Sequence, residues 1–218
     1  MRKVIVQAFV TLDGVMQAPG GPDEDRSGGF EYGGWSFHYW DDVMNEVMGA
    51  AFSVPFDLLL GRKTYDIFAS YWPNVPDDHP EASVKHVFNK AQKYVASRTL
   101  KQADLKWVGS HLISDVPKEV AKLKQGEGPE ISVQGSANLI QTLVRHDLVD
   151  EYRIWTFPVV VGKGKRLFEP DVPGRALKLV SSRTSTTGVT IGTYRPDGAI
   201  RTGAFAEPRE AEASGGKK

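Results

Sequence analysis

Over its first two thirds the chain alternates short apolar runs with stretches of helical spacing, and three of those runs end in glycine or basic turns. Residues 56–60 break at Gly61 into Arg62, Lys63 and Thr64, and the positions that follow, to Tyr71, are apolar at helical spacing. Residues 93–96 end in Ser97, Arg98 and Thr99. Residues 131–133 break at Gly135 and Ser136, then Ala137 and Asn138, with Leu139, Ile140, Leu143 and Val144 three and four apart. Consecutive parallel strands need a crossover long enough to hold a helix, so this alternation predicts a largely parallel sheet covered by helices on both faces.

The rest of the chain fits that frame. The near-continuous apolar run at 4–10 predicts a strand covered on both sides, closed by Thr11, Leu12, Asp13 and Gly14. Residues 18–34, rich in Gly, Pro, Asp and Glu, predict a long loop, and loops of that length tend to carry function. Trp40, Val43, Met44, Val47, Met48 and Ala51 predict an amphipathic helix over 40–52. A strand is expected near 105–108, and a helix opened by Asp115 and Pro117 that runs towards Lys124. Beyond Asp147 only strands are expected, at 151–161, 177–185 and 189–194, the last two joined by a turn at Thr187 and Gly188. The fold class is therefore α/β: one three-layer domain over 1–200, its sheet mostly parallel and ending in an antiparallel hairpin, followed by a polar tail over 201–218.

Composition narrows the function classes. With no cysteine, disulfides, zinc–thiolate sites and cysteine nucleophiles are excluded. The 27 Lys+Arg balance the 27 Asp+Glu, so the charge excess of a non-specific nucleic-acid or anionic-membrane binder is missing. No apolar stretch reaches the roughly 18 to 20 residues of a membrane-spanning helix. The start reads as a core strand rather than a secretion signal, which makes the cytoplasm the expected location. Five scattered histidines show no metal-ligand spacing, so no metal is expected. The Gly162-Lys163-Gly164 segment opens like a dinucleotide fingerprint but lacks its last glycine.

The three turns carry anion-binding chemistry. Strand-to-helix turns of a parallel sheet share its carboxyl edge and line one crevice. Gly61, Arg62, Lys63 and Thr64 put two cations and a hydroxyl at a helix start, where free N–H groups already favour phosphate. Ser97 and Arg98 suit a phosphomonoester. Gly135, Ser136, Ala137 and Asn138 let the backbone approach a pyrophosphate closely. Each turn alone is compatible with ordinary capping and solvated side chains; together they predict a dinucleotide carrying an extra phosphate.

In this order, and with the segment from Asp150 through Pro158 to Phe168, these residues resemble the dihydrofolate-reductase-like superfamily. Within it the chain is similar to the reductase (C-terminal) domain of the riboflavin-biosynthesis deaminase–reductase. The resemblance implies an NADPH-dependent reductase, a homodimer, of a small heterocycle such as the 5-amino-6-(5-phosphoribosylamino)uracil of that pathway. A dihydrofolate or pterin reductase is the alternative within the class; a non-catalytic nucleotide-binding or interaction protein is the alternative outside it. It further implies that Gly61 to Thr64 and Gly135 to Asn138 hold the pyrophosphate, Ser97 and Arg98 the 2′-phosphate, and that Gly14 and Asp13 lie near nicotinamide and substrate. Phe157, beside Pro158, is a substrate-side candidate.

The residues also offer their own candidates for the substrate side. Asp13 or Asp41 is expected to orient the substrate or relay a proton if burial raises its pKa, with a turn residue or a solvated helix face as the bland alternatives. Among the aromatics, Trp72 is a candidate to line the pocket, against a default role in the core.

Overall fold

The structure is a computed structural model and describes residues 1–205. Along the chain lie β1 (Val4–Thr11), α1 (Asp42–Ser53), β2 (Phe56–Gly61), α2 (Arg62–Tyr71), α3 (Ala82–Lys90), β3 (Lys93–Ala96), β4 (Ser110–Ile113), α4 (Val116–Gln125), β5 (Glu130–Gln134), α5 (Ala137–Arg145), β6 (Glu151–Phe157), β7 (Leu177–Thr184) and β8 (Thr190–Pro196). They form one eight-stranded sheet in the order β4-β3-β2-β5-β1-β6-β8-β7. The strands from β4 to β6 are parallel, and β8 and β7 are added antiparallel. This is the fold class the alternation predicts.

Strand alternation sorts side chains into two cores. Val4, Val6, Ala8 and Val10 of β1 pack with Ile131 and Val133 of β5 against Val120 of α4 and Leu139, Ile140, Leu143 and Val144 of α5. On the opposite face Leu58 and Leu60 of β2 meet Tyr65 of α2 and Phe88 of α3. Phe9, Trp155 and Phe157 on that same face meet Met44, Val47 and Met48 of α1. The sheet is thus the middle of three layers.

Four boundaries depart from the sequence expectation. The strand expected at 105–108 is instead a loop, and β4 begins at Ser110 after Gly109, whose φ is +78°. Leu105 and Trp107 point into the core while Val108 is exposed, which imitates strand alternation. Trp107 spends its backbone N–H on Tyr65 Oη (3.1 Å) and its indole N–H on Asn89 Oδ1 (2.7 Å). β6 stops at Phe157 rather than 161, because Pro158 has no N–H for a ladder. The first helix starts at Asp42, with Trp40 extended and Asp41 as its N-cap. Helix α3 was not anticipated: its N-cap position, Glu81, makes no side-chain cap, and Phe88 is its one fully buried residue. The tail expected over 201–218 shows no helix or strand up to residue 205, and its remainder lies outside the described residues.

β3, which delivers the Ser97–Arg98 turn, is anchored at its start by Lys93, a fully buried side chain. Its ammonium donates to Asn89 O (2.8 Å) and Val108 O (3.0 Å) and lies 4.4 Å from the centre of the Trp107 ring. Burial pulls its pKa down to about 8, against the opposing charge of Asp57. The folded chain therefore sheds this proton before the unfolded chain does, whose lysine titrates near 10.4. The cost of burying the cation is present below pH 8 and is relieved as the pH rises towards 10.5. Denaturant unfolding of wild type and Lys93→Met across pH 7 to 10.5 should show stability rising in the wild type relative to the variant. Parallel profiles would contradict it.

Candidate active site

The carboxyl edge of the parallel strands opens into a cleft of about 1260 Å³. All ten residues expected to bind the cofactor line it: Gly61, Arg62, Lys63 and Thr64; Ser97 and Arg98; Gly135, Ser136, Ala137 and Asn138. Its other wall comes from Gln7 and Phe9 of β1, Met48 of α1, and the loop residues Gln17, Glu24 and Asp25 with Lys165.

Two helix starts meet at one contact. Ser136 Oγ accepts the Gly61 N–H (2.9 Å) and donates to Thr64 Oγ1 (2.9 Å). Ser136 is the N-cap residue of α5, yet its hydroxyl crosses to α2 and does not cap its own helix. Gly61, at the N-cap of α2, has no side chain to cap with. Both helices thus bring first-turn N–H groups without a side-chain cap to the cleft, each adding to a positive dipole end. The turn is also strained: Gly135 has φ +58° and Ser136 φ +64°, a left-handed conformation that costs a non-glycine residue about 1–2 kcal/mol.

A basic corner flanks these helix starts. Arg62 does not point back along α2; its guanidinium donates to Thr99 Oγ1 (2.9 Å), with Asp66 3.5 Å away on its own helix. Ser97 Oγ holds the turn by accepting from the N–H of Thr99 (3.2 Å) and of Leu100 (3.1 Å). Arg98 is exposed and makes no hydrogen bond or ion pair among the described residues. Two guanidiniums and two hydroxyls therefore converge where β3 ends.

The long loop carries the groups that the sequence did not single out. The Asp25 carboxylate bridges Lys63 of α2 and Lys165 (2.6 Å) and accepts from Ser27 N (3.0 Å) and Oγ (2.7 Å). Burial pushes its pKa up, but the bonds from Lys165, Lys63 and Ser27 outweigh that and hold it well below the usual carboxylate range. Its neighbour Glu24 goes the other way: burial and the Asp25 charge raise it against hydrogen bonds from Gly20 and Gly21 N–H. No spacing motif marks Asp25, because its lysine partners lie 38 and 140 positions away.

The expected substrate-side residues do not line this cleft. Asp13 accepts from Thr11 Oγ1 (2.6 Å) and from the N–H of Gly162 (2.9 Å) and Val161 (3.3 Å), clamping the turn after β6. Asp41 caps α1 through Met44 N (2.9 Å) and accepts from Thr186 N and Oγ1, both at 2.7 Å. For both, burial raises the pKa and the hydrogen bonds more than reverse it, so neither has the raised pKa expected of a proton relay. Gly14, with φ +82°, lets the chain reverse after β1 and bonds Leu167 N (3.0 Å) through its carbonyl. Phe157 is fully buried under α1, and Trp72 packs edge-on against Phe88, 5.0 Å between centroids. Among the described residues no group of His, Asp and Glu could hold a metal ion, and no helix is long and apolar enough to cross a membrane.

Residues 2–191 match the RibD C-terminal domain family, so the chain belongs to that family. It is 33% identical to the uncharacterized Bacillus subtilis protein YyaP over 202 residues, covering 90% of this chain and 96% of that protein. Among solved structures it is similar to a putative riboflavin biosynthesis protein from Shewanella sp. PV-4, with 20% identity, a TM-score of 0.58, and 89% of this chain and 99% of that one covered. A pyrimidine reductase-like protein from Corynebacterium diphtheriae has 11% identity, a TM-score of 0.56 and coverage of 92% and 93%. The fold is the dihydrofolate-reductase-like one that the sequence resembles.

Because Asp25 ties the loop to two other elements across the cleft, Asp25→Asn should loosen 18–34 without unfolding the domain. Amide exchange in that loop is expected to quicken by about tenfold. In the wild type the tie is complete above the unfolded carboxylate range, near pH 3.9, and is lost only as the pH falls through the depressed folded value. Unchanged exchange in the variant would contradict the tie.

Proposed function

We propose that this protein is an NADPH-dependent reductase of a small heterocyclic compound, of the type that works in riboflavin biosynthesis. The observation that carries the proposal is the pairing of two helix N-termini without side-chain caps, α2 and α5, beside a corner with a free guanidinium. A dinucleotide diphosphate fits the first pair, because backbone N–H groups and dipole ends favour anions there. A 2′-phosphate fits the second, where Arg98, Arg62, Ser97 and Thr99 offer charge-assisted bonds. Arg62 thus joins the 2′-phosphate corner, while Lys63, Thr64 and the 135–138 turn stay with the diphosphate.

When bound, the reduced nicotinamide supplies hydride. The protein's own part is to orient, to exclude water and to provide a proton. Glu24 lines the cleft and burial raises its pKa, so it is the proton source in this reading, while Asp25 stays ionised between its lysines. A homodimer belongs to the same reading; the exposed outer strand β7, with Leu179 and Val180 exposed at its β-bulge, is the surface left for a second copy.

Fluorescence titration tests the cofactor assignment. NADPH should bind at least tenfold more tightly than NADH, and Arg98→Ala should remove most of that preference while leaving NADH affinity within about twofold. Equal affinities in the wild type, or no binding of either, would overturn it.

A further inference from the structure

Most of the cleft's polar side chains are accounted for, and one is not. Gln7 sits in the middle of β1 with 6% of its surface exposed, among Val4, Val6, Ala8 and Phe9 in an otherwise apolar strand. Its side chain's sole hydrogen bond among the described residues runs from Nε2 to the thioether of Met48, at 3.5 Å. A thioether is a weak acceptor, and the amide oxygen accepts nothing. The unpartnered oxygen is not among the fully buried atoms left without a hydrogen bond, so it opens on the cleft, where a ligand can meet it.

The sheet supplies a companion. Gln7 is the register partner of Gln134 in the parallel pair of β1 and β5, so both side chains leave the same face, about 4.8 Å apart. Both line the cleft. Gln134 donates from Nε2 to Ser132 Oγ (3.0 Å), which leaves its oxygen free to accept. On the other side of Gln7 the register partner is Arg153, whose charge is taken up by Glu151 (2.9 Å) and Glu130 (3.1 Å) and which does not reach the cleft. Phe9 and Met48 complete this end, on the α1 side of the cleft and away from the basic corner.

We infer that Gln7, with Gln134 beside it, is the specificity-determining floor of the substrate subsite and that it recognises a planar ring with a lactam or imide edge. A carboxamide presents a donor and an acceptor in one plane, and its complement is a ring N–H next to a ring C=O. The second carboxamide, one strand away, accepts from a further N–H of the same ring. Phe9 and Met48 supply flat and adaptable apolar contact for the ring itself. The inference rests on the reductase reading for the location of the cofactor; the hydrogen-bonding complement stands on Gln7 and Gln134 alone.

Calorimetric titration of the whole protein with uracil, with pterin and with 1,3-dimethyluracil, in the presence and absence of saturating NADP⁺, tests the inference. At least one of the two lactam rings should bind, and 1,3-dimethyluracil, which has the same ring without N–H, should bind at least tenfold more weakly than uracil or not at all. Gln7→Leu should lose at least tenfold in affinity for the lactam ring and change NADPH affinity by less than twofold. The same variant should unfold cooperatively within a few degrees of the wild-type melting temperature, which confirms that it is folded. Failure of both lactam rings to bind, binding unaffected by Gln7→Leu or by N-methylation, or a loss confined to NADPH would each overturn the inference. Lactam binding without any NADPH binding would sink the reductase reading and leave this one standing.

Discussion

The cleft depends on one hydroxyl. Ser136 Oγ takes the N–H of Gly61 and gives its proton to Thr64, joining the start of α5 to the start of α2 across the carboxyl edge of the sheet. By serving the neighbouring helix it leaves its own without a side-chain cap, and it holds a left-handed backbone to do so. A cap of this kind ordinarily contributes about 1 kcal/mol to its own helix. Here that stabilisation is forgone, strain is added, and the result is a fixed pair of dipole ends with donors aimed at the same space. Both local departures from good helix practice sit at the place where an anion would be held.

Around that junction charge is distributed with a clear division. Lys63 and Lys165 are tied to Asp25, so their charge fastens the long loop, whereas Arg98 has no partner among the described residues and Arg62 has the Thr99 hydroxyl and an exposed ion pair with Asp66. One end of the cleft is therefore basic and available, and the other is amide-lined and apolar, with Gln7, Gln134, Phe9 and Met48. A ligand pair consisting of a multiply charged nucleotide and a neutral ring fits this asymmetry. The acids Glu24 and Asp25, adjacent in sequence, are driven in opposite directions by burial and by two ammonium groups.

The parallel part of the fold was legible because strand, glycine and helix follow one another within a few residues at Gly61 and at Gly135–Ser136, and those local signals also mark the turns proposed to bind anions. Where local signals mislead, they do so for physical reasons: the Leu105 and Trp107 alternation belongs to a loop pinned by Tyr65 and Asn89, and α3 forms against Phe88 without a cap. The substrate end was not legible. Asp13 and Asp41 look like candidates in sequence, but Asp13 clamps a turn and Asp41 caps a helix, whereas Gln7 is a single polar residue in an apolar strand. Its meaning appears only when register sets it beside Gln134 and the helices leave it without a partner.

The helix starts joined by Ser136 are proposed to form the diphosphate site of a dinucleotide. A crystal structure of the protein with bound NADP⁺ tests it most directly. Both phosphates of the diphosphate are expected within hydrogen-bond distance of backbone N–H groups at the starts of α2 and α5, with the 2′-phosphate between Arg62 and Arg98. A diphosphate seated elsewhere, or a cofactor whose adenosine phosphate avoids the Ser97–Thr99 turn, would contradict it.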